Sequence, residues 1–280
     1  MTAMVLGHRH GAAFWHLPSW ERLGYRAFFF LRTGGVSRAP FRSLNLGFTP
    51  GEVVEKVQAN RLTAFRAAKL GPAAPVLGQQ VHGTRLRVVS LRSQGRGWHC
   101  GDDALPGTDG LLTIAPGLPV GVATADCLPV LLAATGKVRA VAAVHVGWRG
   151  LAADILTLAV KKLSRQWHIA PSQVRAALGP AIGPQAFVVR GEVLALLRAK
   201  YPAAVGEKPR GARTAGFDLW QAAQTQLEKA GVSGKNIAVT RECTASHPAR
   251  YFSHRRDLGQ TGRMLALIQI QVPKGRKNKN

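Results

Sequence analysis

The chain has 280 residues, 46% of them hydrophobic, which suits one large domain with a sizeable core. Lys and Arg number 38 against 14 Asp and Glu, and this net charge of +24 concentrates anions near the surface and is compatible with nonspecific nucleic-acid binding. No apolar run approaches the roughly 18 residues of a membrane span, and three cysteines in so long a chain argue against a disulfide framework and for a reducing compartment, the cytoplasm.

The start of the chain, with His8, Arg9 and His10, lacks a signal-peptide pattern. Ala27 to Leu31 predicts a short aromatic strand, followed by a polar turn. Asn45 lies between two apolar neighbours in Ser43-Leu-Asn-Leu-Gly47, as a side chain closing a turn would. Val53 to Leu70 has helical spacing and carries Arg61, ordinarily a solvated charge. Val76 to Val81 and Leu86 to Leu91 predict strands flanking His82, and Ser93 to Pro106 a polar surface loop. Its His99-Cys100 pair has no partner at metal-ligand spacing.

Strands over Asp109 to Ile114 and Val120 to Ala123 lead into the stretch that organises the chain, Thr124 to Gly150. There Asp126 and Cys127 stand at the mouth of one apolar segment, and His145 and Arg149 where a second, Val138 to Val146, ends in a glycine-flanked turn. Reactive side chains at strand ends beside tight turns are where open sheets place ligand sites. Leu151 to Trp167 predicts one amphipathic helix, Val174 to Leu178 a strand and Val193 to Leu197 a short helix. Pro202 to Ala215 reads as a basic, mobile loop, and Asp218 as the cap of a helix through Leu227. Ile237 to Thr240 and Met264 to Val272 predict the last strands. A single domain over residues 20–272 is expected, with a basic, disordered tail at 273–280.

Three readings of Cys127 and its histidines stand side by side. A lone buried cysteine is most often a small hydrophobe, and histidines at strand ends most often close turns. One Cys and two His also suit zinc with an open fourth position, although His82, Cys127 and His145 lie too far apart in sequence for a short chelate motif. A thiol nucleophile activated by a histidine is the third.

Five blocks together resemble the polyphenol oxidoreductase (laccase) domain family: Ser43 to Gly47, Gln80-Val-His-Gly83, Thr124-Ala-Asp-Cys-Leu-Pro129, His145-Val-Gly-Trp-Arg-Gly150 and Phe252-Ser-His-Arg-Arg-Asp257. Their order holds from about Thr33 to Ile268. The resemblance implies an α+β fold, a mixed-sheet α-β-α sandwich without cupredoxin domains or multi-copper centres. Members of the family are described as zinc-containing purine nucleoside phosphorylases and, in bacteria, as a peptidoglycan editing factor. Carried over, the zinc ligands are His82, Cys127 and His145. The implied reaction is phosphorolysis of adenosine, inosine and methylthioadenosine to the free purine and a ribose 1-phosphate, with adenosine deamination beside it.

For that chemistry Arg149 and Arg61 are the expected phosphate ligands, Asp126 the general acid/base, and Asn45 a ligand of ribose hydroxyls or the base edge. Cys243, Ser253, Arg255 and Arg256 are expected to shape the site from the C-terminal side, the two arginines equally as ion-pair partners. Two departures stand out. Thr49-Pro-Gly-Glu52 replaces the family's usual His-x-Gly-Asp, and Phe187-Val188-Val189 replaces a common Phe-Glu-Val. The latter reads as a packed strand, so that the missing glutamate braced a loop rather than moved a proton. The rival functions are a Cys127-dependent amidase acting on a cell-wall precursor and a nonenzymatic basic RNA-binding protein. The latter is not favoured: no helix-turn-helix, zinc-finger or RNA-recognition signature is present.

Overall fold

The computed structural model describes residues 3–206 and 213–273. In chain order come β1 (Val5–Arg9), β2 (Ala12–His16), α1 (Pro18–Arg22), β3 (Tyr25–Phe30), α2 (Val54–Ala68), β4 (Val76–Leu77) and β5 (Leu86–Val88). The middle holds β6 (Gly110–Thr113), β7 (Val120–Thr124), β8 (Leu128–Thr135), β9 (Arg139–Val146), α3 (Trp148–Ala152), α4 (Ile155–Trp167) and β10 (Val174–Leu178). Then follow β11 (Val188–Arg190), α5 (Gly191–Lys200), β12 (Thr214–Gly216), α6 (Leu219–Lys229), β13 (Ile237–Val239) and β14 (Met264–Ile270). None of these helices is long and apolar enough to cross a membrane.

Two mixed six-stranded sheets, ordered β1-β2-β3-β14-β7-β4 and β13-β10-β8-β9-β6-β5, stack face to face. Strand alternation sorts their side chains into layers. Phe29, Val122, Ala266 and Ile268 of the first sheet meet Leu131, Ala133, Val141 and Ala143 of the second between the sheets. Phe28, Phe30, Leu265 and Leu267 turn the other way, onto Ala64, Ala67 and Ala68 of α2. Val130, Leu132, Ala142 and Val144 turn outward beneath residues of α4, α5 and α6. Strands buried on both faces explain the nearly continuous apolar runs of β8, β9 and β14. The single-domain α-β-α sandwich expected from the sequence is present, its β layer being two sheets thick.

Three elements differ from the sequence reading. The hairpin β1–β2 went unread, because edge strand β1 leaves Val5 and Leu6 exposed and shows no alternation. It pairs through β2 with β3, so the first sheet takes in residues ahead of the expected start at 20. The helix expected over Leu151 to Trp167 is two helices, broken at Asp154, which is left-handed at φ 62°. The break is held from outside: Lys200 Nζ (2.5 Å) and Gln226 Nε2 (3.1 Å) donate to the Asp154 carboxylate, while Gln226 Oε1 accepts the Leu156 amide at the start of α4. Finally, the expected loop over Pro202 to Ala215 contains β12, which pairs with β11. Residues 207–212 of that loop and 274–280 of the expected tail lie outside the described residues.

Candidate active site

β7 and β8 belong to different sheets, and the turn between them carries Asp126 and Cys127. Asp126 is left-handed at φ 92°. Cys127 then precedes β8, whose antiparallel neighbour β9 bears His145 opposite Pro129. His82 arrives from the loop after β4 and also has a positive φ, 60°. Two polar clamps place that loop. Gln80 exchanges both amide hydrogen bonds with the backbone of Ala123, each 2.8 Å, and so mimics a strand partner of β7. Asp109, fully buried just before β6, accepts the backbone N–H groups of Val81 (3.2 Å), His82 (2.9 Å) and Gly83 (2.8 Å).

The same carboxylate accepts a hydrogen bond from His145 Nδ1 at 2.9 Å. This fixes the ring and leaves Nε2 for a ligand. The candidate ligand atoms of His82, Cys127 and His145 lie within 4.8 Å of one another. Cys127 Sγ is 3.5 Å from His82 Nε2, and the two imidazoles meet edge-on with centroids 4.8 Å apart. Gly147 makes room: a Cβ there would stand 2.8 Å from His82 Cδ2. Burial pushes the Cys127 thiol up, but the His145 charge and hydrogen bonds from both histidines bring it down to about 6. Burial likewise opposes the His145 charge, and the thiolate with Asp109 raises that group to about 9. Two nitrogens and a thiolate converging on one point are the donor set of a borderline-soft metal ion. Among the described residues this is the one such His/Cys/carboxylate group.

The triad opens into a cleft of about 680 Å³, within the range of small-molecule sites. Phe48, Trp148, Phe187 and Leu219 give it apolar walls, and Arg61, Arg149, Arg255, Arg263 and His254 make it basic. Arg149 stands exposed at the start of α3, its guanidinium 4.6 Å from the Trp148 ring centre. Arg61, expected to be solvated or binding phosphate, is almost wholly buried. It donates to the carbonyls of Leu46 (2.8 Å), Gly97 (2.6 Å) and Trp98 (2.6 Å) and lies 4.3 Å from the Phe48 ring centre. Burial lowers its pKa to about 9. The loop over 93–106, expected as surface, is therefore a wall of the cleft, with its carbonyls holding Arg61.

Asn45 does not face the cleft. It is fully buried, accepts the amides of Gly47 (3.1 Å) and Arg263 (2.8 Å), and donates to Glu52 at 3.3 Å. Asp126 does line the cleft, but both its oxygens are taken, by the Thr244 hydroxyl (2.6 Å) and the Arg255 amide (2.7 Å). That is the bonding of a carboxylate that braces a turn. Of the C-terminal group, Arg255 lines the cleft, whereas Arg256 pairs with Asp257 at 2.7 Å. Ser253 is buried beneath the Arg256 amide, and Cys243 Sγ accepts the Gly183 amide at 3.2 Å. Sequence reasoning missed Asp109, Gln80 and Arg263. Each is an ordinary residue locally; distant partners mark Asp109 and Gln80, and its place in the cleft lining marks Arg263.

A family model described as multi-copper polyphenol oxidoreductase laccase matches residues 26–271. The chain belongs to that family. It is 38% identical over 240 residues to purine nucleoside phosphorylase YlmD of Geobacillus stearothermophilus, covering 84% of this chain and 86% of the relative. Purine nucleoside phosphorylase YfiH of Escherichia coli is 37% identical over 256 residues, 91% of this chain and 98% of the relative. The crystal structure of YlmD from Geobacillus stearothermophilus superposes with a TM-score of 0.88 at 33% identity, over 95% of this chain and 98% of that one. The laccase-family description names several coppers, whereas among the described residues of this member one His/Cys group could hold a metal ion.

Proposed function

We propose that this laccase-family chain is a zinc-dependent purine nucleoside phosphorylase that cleaves adenosine, inosine and methylthioadenosine, with adenosine deamination as a side activity. One observation carries the reading: three soft or borderline donors converge in a basic, aromatic-walled cleft of nucleoside size. Its similarity to the purine nucleoside phosphorylases YlmD and YfiH supports it. In phosphorolysis the C1′–N9 bond breaks with its electron pair going to the purine, while a phosphate oxygen bonds C1′. Phe48, Trp148 and Phe187 offer flat surfaces for the base, and Arg149 at the mouth offers phosphate a planar, charged fork. Zinc held by His82, Cys127 and His145 would supply Lewis acidity and, for deamination, hydroxide at neutral pH. Asp109 keeps His145 in the ligating tautomer. Asp126 holds the turn that delivers Cys127. The three free cysteines fit a cytoplasmic enzyme.

Chromatographic analysis of adenosine or inosine incubations, with and without phosphate, tests the reading. Free purine and ribose 1-phosphate should form only when phosphate is present, and phosphate-independent cleavage would overturn it. A second reading has its own observation: Cys127 near His82, with His145 oriented by Asp109, is also the layout of a thiol hydrolase. Such an amidase would keep its activity after complete zinc removal.

A further inference from the structure

Arg263 takes no part in the chemistry described so far, yet its surroundings are those of an anion ligand. It lines the cleft and is more than half buried. His82, Cys127, His145 and Asp126 line the same cleft, and the charges of Cys127 and Asp126 act on the Arg263 guanidinium. Nη1 donates to the carbonyls of Thr261 and Gly262, both at 3.0 Å, and these two bonds fix the plane of the guanidinium. Among the described residues Nε and Nη2 have no hydrogen-bond partner, and neither is buried, which leaves this edge free on a side chain that lines the cleft. The Nε–Nη2 edge is the one that makes two parallel hydrogen bonds to a phosphate or carboxylate.

A second guanidinium completes the arrangement. The Leu46–Gly47 segment is held between the two arginines: Arg61 Nε donates to the Leu46 carbonyl, and the Leu46 amide donates to the Arg263 carbonyl at 2.9 Å. Gly47 lets the Arg263 stem lie against the segment, since a Cβ there would be 2.6 Å from Arg263 Cγ. Nε and Nη1 of Arg61 are spent on carbonyls, while Nη2, on a nearly buried side chain that lines the cleft, has no partner among the described residues. The carboxylate beside them, Asp126, already has both oxygens hydrogen-bonded and does not close the open edge.

We propose that Arg263, with Arg61 from the other side of the Leu46–Gly47 segment, forms a preorganised clamp on the phosphate co-substrate at the floor of the cleft, and that Arg149 closes over it from the rim. The proposal rests on the phosphorylase reading for the identity of the anion. Both floor guanidiniums are held by backbone carbonyls before phosphate arrives, so little side-chain freedom is lost on binding.

The test uses the zinc-loaded full chain and its Arg263→Lys, Arg263→Gln and Gly47→Ala variants. Arg263→Lys keeps the charge and the stem but loses the paired edge, and Gly47→Ala displaces the stem without touching the guanidinium chemistry. In all three, the KM for phosphate should rise, by roughly 10- to 100-fold in Arg263→Gln. The KM for inosine should move less than about threefold, because a clamp on phosphate does not hold the nucleoside. Calorimetric titration with inorganic phosphate alone should show the same loss of affinity. An unchanged phosphate KM, or a rise confined to the inosine KM, in correctly folded Arg263→Lys and Arg263→Gln would overturn the clamp while leaving the phosphorylase reading intact. If the parent shows no phosphate-dependent cleavage, that reading fails, and the titration still decides: phosphate binding that depends on Arg263 supports the clamp, and its absence overturns it.

Discussion

Asp109 holds three backbone amides and one imidazole with two oxygens, so the position of His82 and the tautomer of His145 depend on a single side chain. Burial alone would raise its pKa, but the His145 hydrogen bond and the loop amides hold it below the usual carboxylate range. Cys127→Ala should abolish zinc content and turnover together, as read by elemental analysis and nucleoside assay. Asp109→Asn should retain the fold but lose roughly 10- to 100-fold in zinc affinity, measured by chelator competition. Zinc binds the thiolate and neutral imidazole. Cys127 loses its proton at about 6 and His145 at about 9, so between these values binding displaces the His145 proton and below 6 the Cys127 proton as well. The logarithm of zinc affinity should therefore climb with pH at a slope of about 1 from pH 6 to 9, and more steeply below pH 6. A pH-independent affinity over that range would contradict the assignment. For Arg149 geometry matters beyond charge: Arg149→Lys should lose on the order of tenfold in kcat/KM and Arg149→Ala about a hundredfold, with phosphate dependence weakened. Unaltered phosphate dependence in Arg149→Ala would remove it from the rim of the site.

At the scale of the element, β11 separates two neighbours that look alike in sequence. Phe187 reaches the cleft and Val189 is buried, whereas Val188 between them is 42% exposed and absent from the cleft lining. The apolar run is a strand, as expected, but it is packed on one face only. A carboxylate at 188 would stand on the solvent side of the β11–β12 ribbon. Val188→Glu should accordingly change nucleoside turnover less than about tenfold, as steady-state kinetics would show. Rescue of a silent parent by that substitution would refute this placement. The loop after β4 shows the opposite case. The sequence suggests a strand continuing to Val81, yet pairing stops at Leu77 and side-chain clamps take over, which frees His82 to leave the sheet.

The whole molecule brings the site together because two sheets are stacked: β7 ends in one, β8 and β9 lie in the other, and the crossing turn holds Cys127 at their junction. Phe29, buried between the sheets, is a sensitive probe of that stacking. Phe29→Ala should cost about 3–5 kcal/mol, measured by denaturant unfolding of the zinc-loaded protein. Loss of less than about 1 kcal/mol would mean that the inter-sheet layer contributes little. A small part of the basic excess is concentrated at this scale, since four arginines line one cleft around the triad.

By itself the sequence determined most of the central strands, because strands buried on both faces are written as nearly continuous apolar runs, and its family resemblance implied the α+β sandwich that they build. The three candidate ligands were legible only through the family resemblance of the blocks that hold them, since 45 and 18 residues separate His82, Cys127 and His145 and no chelate spacing joins them. Tertiary structure alone decided what the polar residues around them do. Asn45 and Arg61 carry the same side-chain chemistry whether they bind a substrate or the backbone, and only the fold shows that Asn45 is buried on the amides of Gly47 and Arg263 and that three carbonyls anchor Arg61 through Nε and Nη1. Asp109 and Gln80 were invisible for the same reason: their partners lie from 26 to 43 residues away, and no local pattern encodes a hydrogen bond made at that distance. Arg263 bonds its own neighbours Thr261 and Gly262, and only the fold shows that it lines the cleft.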